Sequence, residues 1–378
     1  MIPLLHDNDS LRHYCQQAAT QPVLLLDTEF IRQSTLQPKL GLVQLYDGDQ
    51  LALVDPLTIT DWQPLADLLA NPAVTKVMHA CLEDLDAFHT IGIAQIHPLI
   101  DTQMAALLLG QGSSLGFAAL VESITGTTLD KGESRTNWLA RPLRDAQLQY
   151  AANDVLFLLP VYQALQQQLS TEQYQLLLAE AEQIQLRRSQ QWPDRLRFID
   201  IKNSWQLPAR ALVVLQRLVC WRLEYARSKD LALSLVFKDA QLFDIARKAP
   251  TSLSALQAIA GLPEREVKRH GRTLLQLVEQ ALATQSVHWP EPVYHREAFA
   301  GYREVTAQIR EVVQQAAKQH QLPAELLATK RQQTEFLNWC WRIRDDERLQ
   351  LPEPELLRGW RQPLLAPVLP FPTHLVQE

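Results

Sequence analysis

Asp27 and Glu29 stand at the end of residues 23–30, VLLLDTEF, where an unbroken aliphatic run gives way to two acids. A run of large and β-branched apolar residues without alternation predicts a strand covered on both faces, central in a sheet. Side chains two apart on a strand share a face, so the two carboxylates project side by side. Held that close they repel unless a proton or a cation lies between them. A hard divalent cation such as magnesium, which takes oxygen ligands, answers that need. The spacing alone carries little weight: Asp7/Asp9, Asp47/Asp49, Asp84/Asp86, Glu180/Glu182, Glu264/Glu266 and Glu353/Glu355 share it. Most of those sit in polar surroundings that a solvated turn or helix face explains.

Two further acids keep apolar company. In HACLEDLDAF, Leu82, Leu85 and Phe88 mark the buried face of a helix, with Asp84 and Asp86 both at its edges; periodicity does not choose between them. Asp154 lies in YAANDVLFLL, a helix apolar over most of its circumference. An ionised carboxylate buried there needs a cation, a strong donor or a raised pKa. Tyr150 stands one turn before it, and of the eight tyrosines only this one has Asp four residues on. A core tyrosine bonded to a neighbour is the plainer account of it.

The elements that must position these groups begin with a helix capped by Asp9 or Ser10, then the 23–30 strand. Strands over 40–46 and 51–54 follow, joined by the hairpin signal Asp47-Gly48-Asp49. Asp61 starts a helix to about residue 69, and 74–79 is a strand leading to the helix over 82–89. Residues 96–100 form another strand, and Asp101-Thr102 cap a helix ending near Gly110. Strand–helix alternation adds parallel strands to an antiparallel start, which predicts a mixed sheet flanked by helices. Residues 115–125 read as helix and 129–142, LDKGESRTNWLARP, as a polar loop. A helix from Asp145 kinks or ends at Pro160, another runs over 171–188, and 192–204 reads as a linker. Residues 207–283 predict four or five short helices, and after a turn at 289–292 the chain is helical again. ARSKDLALSL at 226–235 aligns with AKQHQLPAEL at 317–326, an offset of 91, and His270-Gly271-Arg272 falls close to Gly359-Trp360-Arg361, so one helical module is present twice. The proline-rich tail over 363–372 reads as an ordered wrap or a frayed end.

With 378 residues and 47% apolar composition the chain supports two or three globular domains. No apolar run approaches the ~18–20 residues of a membrane span, and the first residues show no secretory pattern. Cys15, Cys81, Cys220 and Cys340 are scattered, which fits free thiols, a reducing compartment and a cytoplasmic protein. Residues 1–200 carry 12 Lys+Arg against 23 Asp+Glu, a net −11, whereas 205–284 carry 12 against 7, a net +5. Residues 285–378 carry 11 against 12, a net −1. An acidic first half beside a basic module suits a metal-dependent catalyst joined to an anion-binding unit.

DTE at 27–29, HACLED ending at Asp84 and YAAND ending at Asp154 resemble the three motifs of the DEDD exonuclease superfamily, in the subgroup with a tyrosine in the third motif. With LGLVQLYDG, LIDT and LDKGESRTNWLARPL, the chain is similar over nearly its whole length to the bacterial ribonuclease D family. The resemblance selects Asp84 over Asp86. It implies an α/β ribonuclease-H-like exonuclease domain over 1–192, then two all-α HRDC-like modules over 205–284 and 292–378. It further implies 3′-to-5′ trimming of RNA precursors, chiefly tRNA, releasing nucleoside 5′-monophosphates through two Mg²⁺ ions, with Mn²⁺ able to substitute. Asp27 would bridge the ions, Glu29 and Asp154 would complete the site of the water-activating ion, and Asp84 would serve the other. Tyr150 would orient and help deprotonate the water. Lys131, Arg135 and Trp138 lie in a shared segment and are candidates for holding the RNA 3′ end; loop packing is an equal alternative. A capping role accounts for Asp101. Arg227, Lys229, Arg247, Lys248, Lys268, Arg269 and Arg272 could meet phosphates. DNA 3′-end trimming and a non-catalytic RNA scaffold are the alternatives; the first uses the same acids, and the intact acids and tyrosine oppose the second.

Overall fold

A computed structural model describes residues 2–130, 132–190, 192–295, 298–299, 301–343 and 345–370. The nuclease half comprises β1 (Leu4–Leu5), α1 (Asn8–Ala18), β2 (Val23–Ile31), β3 (Lys39–Tyr46), β4 (Leu51–Val54), α2 (Gln63–Ala70), β5 (Thr75–Met78), α3 (Leu82–Thr90), β6 (Leu99–Asp101), α4 (Thr102–Leu108), α5 (Phe117–Thr125), α6 (Asp145–Leu156), α7 (Leu158–Gln166) and α8 (Thr171–Ser189). The sheet order is β1-β4-β3-β2-β5-β6. β3 runs antiparallel to β2 and β4, while β5 and β6 continue parallel to β2. The VLLLDTEF strand is therefore internal, as its apolar run requires. Leu24 and Leu26 face one core with α1, α2 and α3, and Leu25 faces the other with α4, α5, α6 and α7.

Local chemistry moves several boundaries. Asp7, not Asp9 or Ser10, caps α1, its Oδ1 accepting the Ser10 N–H at 2.8 Å. The helix from Asp145 breaks at Phe157, three residues before Pro160, because proline lacks the N–H that would bond Leu156 and its ring crowds that carbonyl.

The helical half comprises α9 (Ala209–Lys229), α10 (Leu233–Val236), α11 (Asp239–Lys248), α12 (Leu253–Gln257), α13 (Glu264–Leu282), α14 (Tyr302–His320), α15 (Ala324–Leu327), α16 (Lys330–Arg342), α17 (Asp345–Arg348) and α18 (Gln362–Leu365). Two of the five helices expected as short, α9 and α13, run 21 and 19 residues. The linker reading of 192–204 is corrected: Asp194–Asp200 forms a 3-10 turn whose Leu196, Phe198 and Ile199 enter the core of the first helical module. The repeat is present in three dimensions. Asp230 and Gln321, 91 residues apart, both take left-handed conformations after α9 and α14. α10 and α15, then α11 and α16, begin at the same offset. His270-Gly271-Arg272 and Gly359-Trp360-Arg361 are not equivalent, since the first segment lies in α13 and the second in a 3-10 turn. Part of the expected tail, 371–372, lies outside the described residues.

The second module docks on the nuclease half through α8. The buried Arg361 guanidinium donates to Glu180 at 2.6 and 3.0 Å, with the Trp360 indole N–H on the same carboxylate at 2.9 Å. Arg187 grips Glu355 with Nε and Nη2, and Gln332 adds a third bond to that carboxylate at 2.6 Å.

Candidate active site

β5 pairs with β2 only along residues 23–25, so from Asp27 onward β2 overhangs the carboxyl end of its parallel neighbour. Open α/β sheets bind ligands at such carboxyl ends. On the other side the ladder with β3 slips between Glu29 and Phe30, where Gly41 is the extra residue. A bulge of this kind bends the strand and re-aims its side chains. Asp27 and Glu29 are half-buried on the face covered by α6, and Thr28 points to the other face, towards α3.

Asp84 arrives from that second face. It is 8% exposed in the first turn of α3 and accepts the Thr28 hydroxyl at 2.5 Å. The turn before α3 holds Ala80 at φ 54, and Asp101 fixes it by accepting the Ala80 and Cys81 N–H groups at 2.9 and 3.0 Å. The same Asp101 caps α4 through Gln103 N, so its role exceeds capping one helix. Asp86 faces away from the cleft and is bridged by Arg32 and Arg188.

α6 lies over the face of β2 that carries Asp27 and Glu29, and brings Tyr150 and Asp154, both half-buried. Burial, and then the Asp154 charge, holds Asp27 well above the usual carboxylate range, and burial, and then the Asp27 charge, does the same for Asp84. Glu29 is pushed up to about 10 by burial and then by Asp27, Asp154 and Asp84. Asp154 rises to about 7 through burial and Asp84. Burial, and then Asp154, Glu29, Asp27 and Asp130, raise the Tyr150 hydroxyl. Asp27, Glu29, Asp84 and Asp154 make no salt bridge among the described residues. These shifts identify four oxygen-donor side chains around one cleft, each penalised for carrying charge alone, which is a donor set suited to a hard divalent cation. No three of the described His, Cys, Asp or Glu side chains already converge at ligand spacing.

The candidate substrate residues are not brought together. Lys131 lies outside the described residues. Arg135 is exposed without an ion-pair partner among the described residues. Trp138 is corrected: it is 1% exposed, packed with Leu42, Leu53, Leu143 and Ala151, and its ring lies 6.1 Å from that of Tyr150, leaving no face for a base. Sequence reasoning overlooked the clamp that seats it. Arg141 binds Asp55 through two 2.6 Å bonds and also donates to the Trp138 and Gly41 carbonyls at 2.9 and 2.7 Å. An Arg preceding Pro in a loop was the local trace of it; Asp55 lies far away in sequence. In the basic module, Arg227, Arg247, Lys268 and Arg269 are ion-paired, and Lys229, Lys248 and Arg272 are exposed without such partners among the described residues.

Comparison with known proteins decides the family. Residues 4–170 match the family model "3'-5' exonuclease", 211–278 match "HRDC domain" and 300–369 match "Ribonuclease D, C-terminal HRDC domain". The chain is 41% identical to Ribonuclease D of Escherichia coli over 99% of its own length and 98% of the relative's. It is 42% identical to Ribonuclease D of Cronobacter turicensis over 97% and 98% of the two chains. The chain belongs to the ribonuclease D family. The crystal structure of Escherichia coli RNase D, described as an exoribonuclease involved in structured RNA processing, superposes with a TM-score of 0.89, covering 98% of this chain and 97% of that one. A Trypanosoma brucei RRP6 catalytic core shares the fold at a TM-score of 0.60 and 23% identity. As a ribonuclease D the protein is a 3′–5′ exoribonuclease that acts on RNA and depends on a divalent metal. That activity removes the scaffold alternative. No helix among the described residues is long and apolar enough to cross a membrane.

Proposed function

We propose that the protein trims 3′ extensions of RNA precursors, above all tRNA, in the cytoplasm, with Asp27, Glu29, Asp84 and Asp154 holding two Mg²⁺ ions that Mn²⁺ can replace. The observation that carries this reading is that four carboxylates around the overhang of β2 raise one another's pKa, without a salt bridge to any of them among the described residues. When bound, the ions supply Lewis-acid neutralisation of charge on the attacking and leaving oxygens. Side-chain rotation would bring the four carboxylates to the ligand spacing that the ions require. Tyr150 orients the attacking water through its hydroxyl. Cleavage breaks the bond between phosphorus and the 3′ oxygen, so each turn releases a nucleoside 5′-monophosphate and leaves a fresh 3′-hydroxyl.

The test is incubation with end-labelled RNA and DNA of matched sequence, with and without Mg²⁺, followed by chromatography of the products. The expected result is stepwise release of nucleoside 5′-monophosphates from RNA 3′ ends, lost on chelation. Products bearing 3′-phosphates, or equal rates on DNA, would contradict it.

A further inference from the structure

Gln44 is the one polar side chain between Leu40 and Leu45 on β3, a stretch otherwise apolar apart from Gly41. It is 0% exposed, and neither its Nε2 nor its Oε1 has a hydrogen-bond partner among the described residues. An aliphatic residue would fit there without leaving an amide unsatisfied, and buried amides are ordinarily paired. The sheet register supplies the reason for its presence: Gln44 lies directly opposite Asp27. Directly opposed residues of an antiparallel pair share a face, with Cβ atoms about 4.5–5.5 Å apart. The Gln44 amide therefore reaches the Asp27 carboxylate by side-chain rotation alone, with no backbone movement. Asp27 has room for it. Among the described residues the Thr28 backbone N–H is the one donor that favours its charge, whereas an ionised carboxylate has about four acceptor positions.

We propose that Gln44 is a positioning residue for Asp27: its Nε2–H donates to the Asp27 carboxylate and holds it in its ligating rotamer. The inference rests on the reading of Asp27 as a cation ligand. Groups that hydrogen-bond a metal ligand orient it and raise metal affinity, so their removal is felt in binding before any chemistry occurs. The buried amide is also a liability to the metal-free fold, so its replacement separates a functional role from a packing role by sign.

The test uses the full-length protein, with Mn²⁺ binding followed by the loss of the free-ion electron paramagnetic resonance signal, and melting of the metal-free protein in parallel. Gln44→Met is expected to melt at or above the parent temperature, to bind Mn²⁺ about 10- to 100-fold more weakly, and to recover turnover as Mn²⁺ is raised. Gln44→Leu serves as a second variant read the same way. Mn²⁺ affinity equal to the parent's in whichever variant folds overturns the proposal, whatever its melting temperature. Asp27→Asn is the control: if it too binds Mn²⁺ like the parent, the ligand reading itself fails, and if it loses binding while Gln44→Met does not, only the role of Gln44 falls.

Discussion

Tyr150 sits one turn before Asp154 with its ring against the buried Trp138, so its hydroxyl is aimed by packing from behind. A group used to orient water acts on turnover more than on binding. Tyr150→Phe is expected to lower kcat by about 10²- to 10⁴-fold while Mn²⁺ affinity and the KM for RNA stay near the parent values. Parental kcat in steady-state assays would make Tyr150 a packing residue. Electrostatics gives a second expectation. In the metal-free protein Asp154 and Glu29, raised to about 7 and about 10, bind protons that the unfolded chain releases near pH 4. The charged neighbours facing them are Asp27 on β2 and Asp84 on α3, with the Tyr150 hydroxyl on α6. Folded pKa values above the unfolded ones mean that stability from these groups is full below about pH 4 and falls as pH rises through 7. The metal-free melting temperature should thus drop between about pH 5 and pH 8, less so in Asp154→Asn; a rise over that window in calorimetry would contradict the burial of these acids. Asp27 and Glu29 were legible because acids follow an aliphatic run. Asp84 and Asp86 were not separable by period, since Thr28 for one and Arg32 with Arg188 for the other come from distant segments. For Trp138 the shared segment left substrate contact and loop packing open, and the packing seat, built from β3, β4 and α6, is distant in sequence.

The bulge at Gly41 in β3 and the loop over 129–142 form one unit at the scale of elements. A Cβ on Gly41 would stand 2.7 Å from the Trp138 carbonyl oxygen and 2.8 Å from its Cβ, so only glycine lets the loop approach the strand. Gly41→Ala is expected to cost about 1–3 kcal/mol of stability by overpacking. It should also depress turnover by displacing Trp138 from behind Tyr150. Denaturant unfolding and steady-state assays check both effects, and an unchanged midpoint would show that the loop moves aside freely. Strand and helix existence was legible from period, and the break before Pro160 from the missing N–H. The Asp194–Asp200 turn was not. A 3-10 segment lacks a helical stripe, and its Leu196, Phe198 and Ile199 bury against α9, which only the tertiary structure reveals.

For the whole molecule, charge separates the parts: −11 over 1–200 and +5 over 205–284. The repeat was legible because two helix ends share a left-handed cap at the same offset, whereas the docking of the second module through Glu180–Arg361 and Glu355–Arg187 had no local sign. Those pairs also make truncation a poor probe, since removing one buried partner costs about 3–5 kcal/mol. Charge reversal in the full chain is cleaner. Lys229→Glu, Lys248→Glu and Arg272→Glu together should weaken binding of a tRNA-sized RNA and flatten its salt dependence, while cleavage of short single strands is unchanged. Equal affinities and slopes across a salt series would leave the charge asymmetry without a function.

The central claim is that the four carboxylates on β2, α3 and α6 hold two cations. Anomalous diffraction from crystals soaked in Mn²⁺ reads this directly. The account predicts two peaks about 3.5–4 Å apart in the cleft between Asp27, Glu29, Asp84 and Asp154, both lost in Asp27→Asn. A single peak, or manganese bound elsewhere with this cleft empty, would contradict it.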